Sequence, residues 1–112
     1  MRYTVTDDDT AVALGSGDVT VLGTPRLIAW LEAATVSEAA PHLAEGQTTV
    51  GAAVRVRHRR PTPVGGTVDV YASLTTEGDR LTFDVSAVDG DGHHVADGEI
   101  DRVVVDRASF TG

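Results

Sequence analysis

The spacing of apolar and polar residues changes once along the chain, near residue 46. Before it, residues 24–41 read TPRLIAWLEAATVSEAAP, and from Gln47 onward the pattern is extended. Threonine followed by proline predicts a helix with Thr24 as its N-cap and Pro25 in the first turn, and Pro41 predicts its stop. Apolar side chains project from it in nearly every direction, namely Leu27, Ile28, Trp30, Leu31, Ala33, Ala34 and Val36. A helix without a broad polar face must be covered on most sides.

Four segments after the helix have the pattern of strands: 48–58, 66–76, 80–89 and 93–105. Glycine and proline in the short connections supply turn geometries, so consecutive strands are expected to pair as an antiparallel meander. Residues 2–6 predict a further edge strand, and residues 7–17 predict a short helical turn ending at Gly15.

An apolar helix followed by a long antiparallel sheet leaves one economical packing in so short a chain, which is a curved sheet wrapped around the helix. The predicted class is therefore α+β with the hotdog arrangement. A two-layer α+β sandwich is the alternative, although its helix would normally present a polar face to solvent.

Composition narrows the classes of function. The 112 residues suffice for one domain, expected to span 1–112. A net charge of −8, with nine arginines and no lysine, makes nucleic acid an improbable partner. The chain has no cysteine, no apolar stretch long enough to span a membrane, and three aspartates where a secretory signal would be apolar. We expect a soluble cytoplasmic protein without membrane contact.

Glu32 is the only charged residue between Arg26 and Glu38, and it falls on the apolar helix. A buried, unpaired carboxylate is costly, so Glu32 needs either a partner or a raised pKa. The simpler interpretation places it on a narrow solvent stripe together with Thr35.

His58 ends the first long strand, VGAAVRVRH. Alternation puts it on one face with Val54 and Val56, toward the helix, whereas Arg55, Arg57 and Arg59 lie on the other. A lone inward histidine is more often structural than catalytic. The outward arginines suit the phosphates of a coenzyme tail, or equally a solvated or dimer-contacting row.

Thr24 lies where free N–H groups and the helix dipole favour an oxyanion, although plain capping explains it too. The other histidines, His42, His93 and His94, are expected at the surface. The DGDG segment lacks the spacing and closing glutamate of a calcium loop, so we interpret it as a turn and expect no metal site.

Taken together, these residues resemble the hotdog thioesterases of the fluoroacetyl-CoA thioesterase-like family. The resemblance covers residues 18–110 and rests on four features: Thr24 eight residues before Glu32, Gly51 seven residues before His58, TPVGGTV, and the closing RVVVDRASF. It implies that Thr24, Glu32 and His58 form the catalytic set and that Gly51 helps to place the acyl thioester. It further implies hydrolysis of an acyl-CoA or related acyl thioester, with coenzyme A as part of the substrate and no cofactor.

The chain departs from that family in one region. The fluoroacetyl-specific enzyme has lid phenylalanines before the helix, where this chain has Gly15, Ser16, Gly17 and Asp18. We therefore expect a broader or different short acyl group.

Two mechanisms fit the implied residues. In the first, Glu32 activates a water or attacks the carbonyl, His58 moves protons, and Thr24 with nearby N–H groups holds the oxyanion. In the second, Thr24 attacks after activation by His58.

Helix geometry adds a constraint, because eight helical residues rise roughly 12 Å and Thr24 cannot touch Glu32 of its own chain. A shared site then requires a homodimer in which Thr24 of one subunit faces Glu32 of the other, with a tetramer left open. Three rival functions remain: a non-catalytic acyl-CoA-binding or sensing protein, a hotdog dehydratase, whose aspartate–histidine helix motif is absent, and a structural dimerisation module.

Overall fold

A computed structural model describes residues 1–111 of the chain. Its strands are β1 (Arg2–Thr4), β2 (Gln47–His58), β3 (Thr67–Thr76), β4 (Arg80–Asp89) and β5 (His94–Asp106). Its α-helices are α1 (Ala11–Leu14), α2 (Thr24–Ala39) and α3 (Arg107–Thr111), and two 3₁₀ turns span Asp7–Asp9 and Ala40–His42. The predicted edge strand and the four long strands are all present, within one or two residues at each end.

The strands form one five-stranded antiparallel sheet in the order β1-β3-β4-β5-β2. The meander prediction is correct for β3, β4 and β5 and wrong for β2, which pairs with β5 rather than with its sequence neighbour β3. The connection from β2 to β3 contains two prolines, and its backbone hydrogen bonds go to the N-terminal part of the chain. The N–H of Leu22 donates to the Thr62 carbonyl, the N–H of Gly65 donates to the Val5 carbonyl, and the N–H of Val5 donates to the Gly66 carbonyl. These residues therefore carry the chain to the far side of the sheet instead of closing a hairpin.

Helix α2 begins one residue earlier than its sequence suggests. Gly23 is the N-cap and Thr24 is already the first helical residue, so the prediction that Thr24 caps the helix is wrong. Its hydroxyl is consequently available to another element. The helix ends at Ala39, and Pro41 lies in the 3₁₀ turn that follows, close to the predicted stop.

The core lies between one side of α2 and the concave face of the sheet. The helix contributes Leu27, Trp30, Leu31 and Ala34, all buried, and the sheet contributes alternate residues such as Val68, Val70, Leu81, Phe83, Val85, Ala87 and Ile100. The ring of Trp30 stacks on Tyr3 of the edge strand at a centroid distance of 4.4 Å. Within one protomer the sheet covers only this side of α2, because Ala29 and Val36 on the opposite side remain exposed.

The outer face of the sheet is held by a charge cluster around Asp101. Arg55 donates two hydrogen bonds to this carboxylate at 3.1 and 3.2 Å, Arg80 donates one at 3.0 Å, and the Thr82 hydroxyl donates another at 2.9 Å. The bonds from Arg55 are the largest cause that lowers the pKa of Asp101 from 3.8 to about 2. The carboxylate therefore remains ionised through most of the acidic range.

We predict that Asp101 stabilises the fold in a pH-dependent way. Because its pKa is lower in the folded than in the unfolded chain, the contribution is present above pH 3.8 and is lost as the pH falls toward about 2. Allowing for the solvent exposure of both arginines, Asp101→Asn should reduce the free energy of unfolding at neutral pH by about 1 to 2 kcal/mol.

Urea denaturation at neutral pH and near pH 2 measures this effect, and Asp84→Asn, at an exposed position of the same sheet face, is the matched control. An equal loss of stability at both pH values would contradict the assignment.

Candidate functional site

The first half of the candidate site is a contact between the start of α2 and the end of β2. The Thr24 hydroxyl oxygen lies 2.8 Å from Nδ1 of His58, which is hydrogen-bond distance. Helix α2 runs antiparallel to β2, since Thr24 at the start of the helix meets His58 at the end of the strand while Glu32 further along the helix lies against Gly51. A hydroxyl and an imidazole at this distance have the geometry of a nucleophile and its general base.

The environment of His58 favours the neutral imidazole. Burial of the ring lowers the pKa of His58 below its ordinary value of 6.5, and contact with the backbone of Arg60 opposes part of that shift. Its other ring nitrogen, Nε2, is buried and has no hydrogen-bond partner among residues 1–111. A neutral imidazole can accept a proton at Nδ1 at neutral pH, as a general base must.

The second half of the site surrounds Glu32, two turns further along α2. The side chain is 37% exposed, and its carboxylate accepts a hydrogen bond from Arg102 at 3.3 Å. Arg102 itself is nearly buried and is fixed by the side chain and carbonyl of Thr49. The solvent stripe suggested for Glu32 and Thr35 does not exist, because Thr35 is fully buried and its hydroxyl donates to the Glu32 carbonyl.

Gly51 makes room for the Glu32 carboxylate. A Cβ atom at this position would lie 2.7 Å from Oε2 of Glu32, closer than real contacts of this kind. A side chain at this position would therefore displace the Glu32 carboxylate, so Gly51 matters for where that carboxylate lies rather than for backbone conformation. Thr24 with His58, and Glu32 with Gly51 and Arg102, are thus two separate groups within one protomer.

A β-bulge in β2 puts both groups on the same face of the sheet. Gly51 and His58 are seven residues apart, and strict alternation would send them to opposite faces. The pairing register with β5 shifts between Gly51 and Ala53, so one extra residue is accommodated and both Gly51 and His58 face α2.

Arg102 is the site residue that sequence reasoning missed. It was noted only as part of the closing motif, yet alternation along β5 puts it on the same face as the buried Ile100 and the half-buried Val104. A charged residue at an inward position of an apolar strand is a usable signal, since it requires a buried partner.

The outward arginines of β2 are largely committed within the protomer. Arg55 pairs with Asp101 and Glu99, and Arg59 pairs with Asp97, so the row faces the acidic side chains of β5. Their charges are balanced before any ligand arrives.

The remaining histidines lie away from both groups. His42 contacts Glu77 at 3.1 Å, and His94 is exposed at the start of β5. His93 lies with Asp89 and Asp91 so that one ligand-type atom of each falls within 4.8 Å of the others. The Asp89 carboxylate there accepts the backbone N–H groups of Asp91 and His93, which is turn chemistry.

An open cleft of about 330 Å³ adjoins the Thr24–His58 pair. Its wall comprises Ala11, the loop 16–19, Val21, Leu22, Thr24 and the segment 58–61. None of the helices in residues 1–111 combines the length and apolar character needed to cross a bilayer.

We predict that the titration of His58 reports this environment. An NMR titration of its ring protons should give a midpoint below 6.5, because burial disfavours the imidazolium. Comparison with histidine in a short unstructured peptide provides the reference. A midpoint at or above that of the peptide would contradict the burial of the ring.

Comparison with known proteins gives consistent matches over nearly the whole chain. Residues 5–108 match the family described as FlK, the fluoroacetyl-CoA-specific thioesterase. A fluoroacetyl-CoA thioesterase from Streptantibioticus cattleyicolor is 37% identical over 91 residues, which span 80% of this chain and 65% of that relative. The chain therefore matches slightly less than two thirds of the relative's length.

Solved structures agree on the fold. The fluoroacetyl-CoA thioesterase FlK superposes with a TM-score of 0.90 at 31% identity, covering 99% of this chain and 87% of that one. A hot-dog-like protein from Thermanaerovibrio acidaminovorans superposes with a TM-score of 0.82 at 26% identity, covering 99% and 82% of the two chains. The predicted hotdog fold is confirmed.

Proposed function

Because the chain belongs to the family of the fluoroacetyl-CoA-specific thioesterase, we propose that it is a cytoplasmic homodimer that hydrolyses acyl-CoA thioesters to a free acid and a thiol. The observation that carries this proposal is the 2.8 Å contact between Thr24, at the start of α2, and the half-buried imidazole of His58, whose pKa is lowered by its partial burial. No cofactor is required for this chemistry.

In the proposed mechanism, Thr24 attacks the thioester carbonyl while Nδ1 of His58 takes the hydroxyl proton. The bond from Oγ1 to the acyl carbon forms, and N–H groups in the first turn of α2 stabilise the oxyanion. The carbon–sulfur bond then breaks, and the thiolate leaves readily because thiols ionise near pH 8.5. It takes the proton from His58.

Hydrolysis of the acyl-threonine completes the cycle. A water donates its proton to Nδ1 of His58 as its oxygen attacks the acyl carbon, and the Thr24 oxygen leaves with that proton as the acid is released. Glu32 orients this water from the partner subunit. In the alternative mechanism Glu32 itself attacks or deprotonates the water, and Thr24 only holds the oxyanion.

Three features support a site shared between two subunits. Thr24 and Glu32 are separated by roughly 12 Å of helix, since each residue adds 1.5 Å. Strand β2 is an edge of the sheet, so its outer hydrogen-bonding groups are open to a second strand. Nε2 of His58 lacks a partner within the described part of one protomer.

Antiparallel pairing of two β2 strands about a two-fold axis near Val54 and Arg55 satisfies all three features. Residues equidistant from such an axis face each other, so His58 meets Gly51 of the partner subunit. Glu32 of the partner subunit lies against that glycine and would then approach Thr24. Each dimer has two equivalent sites in this arrangement.

We predict that the purified protein releases thiol from acyl-CoAs and that Thr24→Val and Glu32→Gln each abolish most of this activity while folding is retained. Loss of a nucleophile or of a carboxylate that positions water should lower kcat by about a hundredfold or more. The rate of thiol release from acetyl-, fluoroacetyl-, hexanoyl- and phenylacetyl-CoA measures this activity. Glu38→Gln, at an exposed position of α2, is the control and should retain it.

One outcome would oppose this function, and a second experiment separates its two mechanisms. Stoichiometric binding without turnover of any of these thioesters would favour the acyl-CoA-binding alternative. Single turnover in ¹⁸O-labelled water separates the mechanisms, because label in the Glu32 peptide indicates attack by Glu32, whereas an acyl adduct on the Thr24 peptide indicates attack by Thr24.

Mixing the two inactive variants tests the shared site. After subunit exchange, half of the dimers are mixed, and one of their two sites has both native residues, so activity should return to about a quarter of the native value. Native mass spectrometry verifies exchange. No recovery in exchanged dimers would show that Thr24 and Glu32 of the same chain act together.

A further inference from the structure

The cleft beside the Thr24–His58 pair is larger than a two-carbon acyl group requires. Within one protomer its volume is about 330 Å³, and a cavity of about 150 Å³ is enough to hold benzene, so an acetyl group would fill only a part of it. The cleft begins at the residues that hold the thioester carbonyl in the proposed mechanism, and it ends against the loop 16–19. It is therefore positioned to receive the substituent on that carbonyl.

The wall of the cleft is mainly apolar. Its apolar lining residues are Ala11, Val19, Val21, Leu22 and Pro61. Leu22 belongs to the core and is fixed, whereas Val19 is 56% exposed on the loop. Such a surface gains free energy by contact with hydrocarbon and offers no buried polar partner to a charged chain.

The charged residues at the rim argue against an anionic acyl group. Arg59 forms two hydrogen bonds to Asp97, and Arg60 lies 3.7 Å from Asp89, so a carboxylate is already close to each cation. Asp18 adds a further negative charge to the wall. A carboxylate on the acyl group would therefore meet arginines that already have acidic partners, and it would gain little from them.

We infer that the preferred substrates are uncharged, apolar acyl-CoAs larger than acetyl, of about six carbons or with a single aromatic ring, whose acyl chain lies in this cleft. This inference rests on the thioesterase function proposed above. Each methylene group buried there strengthens transition-state binding by about fourfold at most. Because the cleft is open, the preference for hexanoyl over acetyl should be about tenfold or more in kcat/KM.

The first experiment compares kcat/KM for acetyl-, hexanoyl-, phenylacetyl- and succinyl-CoA. The kcat/KM for hexanoyl- and phenylacetyl-CoA should exceed that for acetyl-CoA by about tenfold. The kcat/KM for succinyl-CoA should be lower than its chain length alone would predict, because its acyl group is charged. Turnover of acetyl-CoA as efficient as that of hexanoyl-CoA, or preference for succinyl-CoA, would overturn the inference and leave the thioesterase function standing. Absence of turnover with all four would instead overturn the proposed function.

A substitution at Val19 tests whether the chain occupies this cleft. Val19→Phe enlarges a side chain of the wall at an exposed position, so it should fill the cleft without disturbing the core. The ratio of kcat/KM for hexanoyl- to acetyl-CoA should fall about tenfold.

Val12→Phe is the matched control, since Val12 is 50% exposed on α1 and outside the wall of the cleft. It should leave the ratio unchanged. An unchanged ratio in folded Val19→Phe, with hexanoyl-CoA preferred by the native protein, would place the chain elsewhere and overturn the inference.

Discussion

The packing of α2 across the concave face of the sheet is the constraint on which the rest of the structure depends. Leu27 and Leu31 are fully buried, and only a small fraction of the Trp30 side chain is exposed. The helix therefore cannot rotate or slide without exposing these side chains to solvent. That fixed position brings the first residue of α2 to the end of β2 and brings Glu32 to Gly51. The candidate site is thus a consequence of core packing.

The two groups that face α2, His58 of β2 and Glu32 of the helix itself, have different surroundings. The half-buried ring of His58 has a lowered pKa, because partial burial disfavours the imidazolium, and a neutral imidazole suits a group that must accept a proton. Glu32 is partly exposed and is paired with Arg102, which is itself held by Thr49. Arg102 keeps the Glu32 carboxylate oriented toward β2. The orientation of the Glu32 side chain thus depends on a residue of β5, 70 positions later in the sequence.

The outer face of the sheet supports this arrangement from behind. The arginines of β2 and the acidic residues of β5 lie opposite each other, and the pair of strands they join carries Gly51, His58 and Arg102 on its inner face. Ion pairs of this exposure are individually weak, but the cluster around Asp101 joins β2, β4 and β5 through one carboxylate. Pairing of β2 with β5 therefore has both backbone and side-chain support.

The sequence alone determined the elements and the candidate residues. Thr-Pro at 24–25, the apolar helix and the alternating strands are local signals, and local propensity and periodicity can be read from a single chain. The set of Thr24, Glu32, Gly51 and His58 came from the resemblance of their spacing to a known family. The tertiary structure decided the features that local sequence signals do not specify. The pairing of β2 with β5, the shift of the N-cap to Gly23, the ion pair of Glu32 with Arg102 and the bulge that turns Gly51 and His58 to one face all depend on residues distant in sequence. Such contacts form only when the core closes, because packing and hydrogen bonding are then optimised over the whole fold.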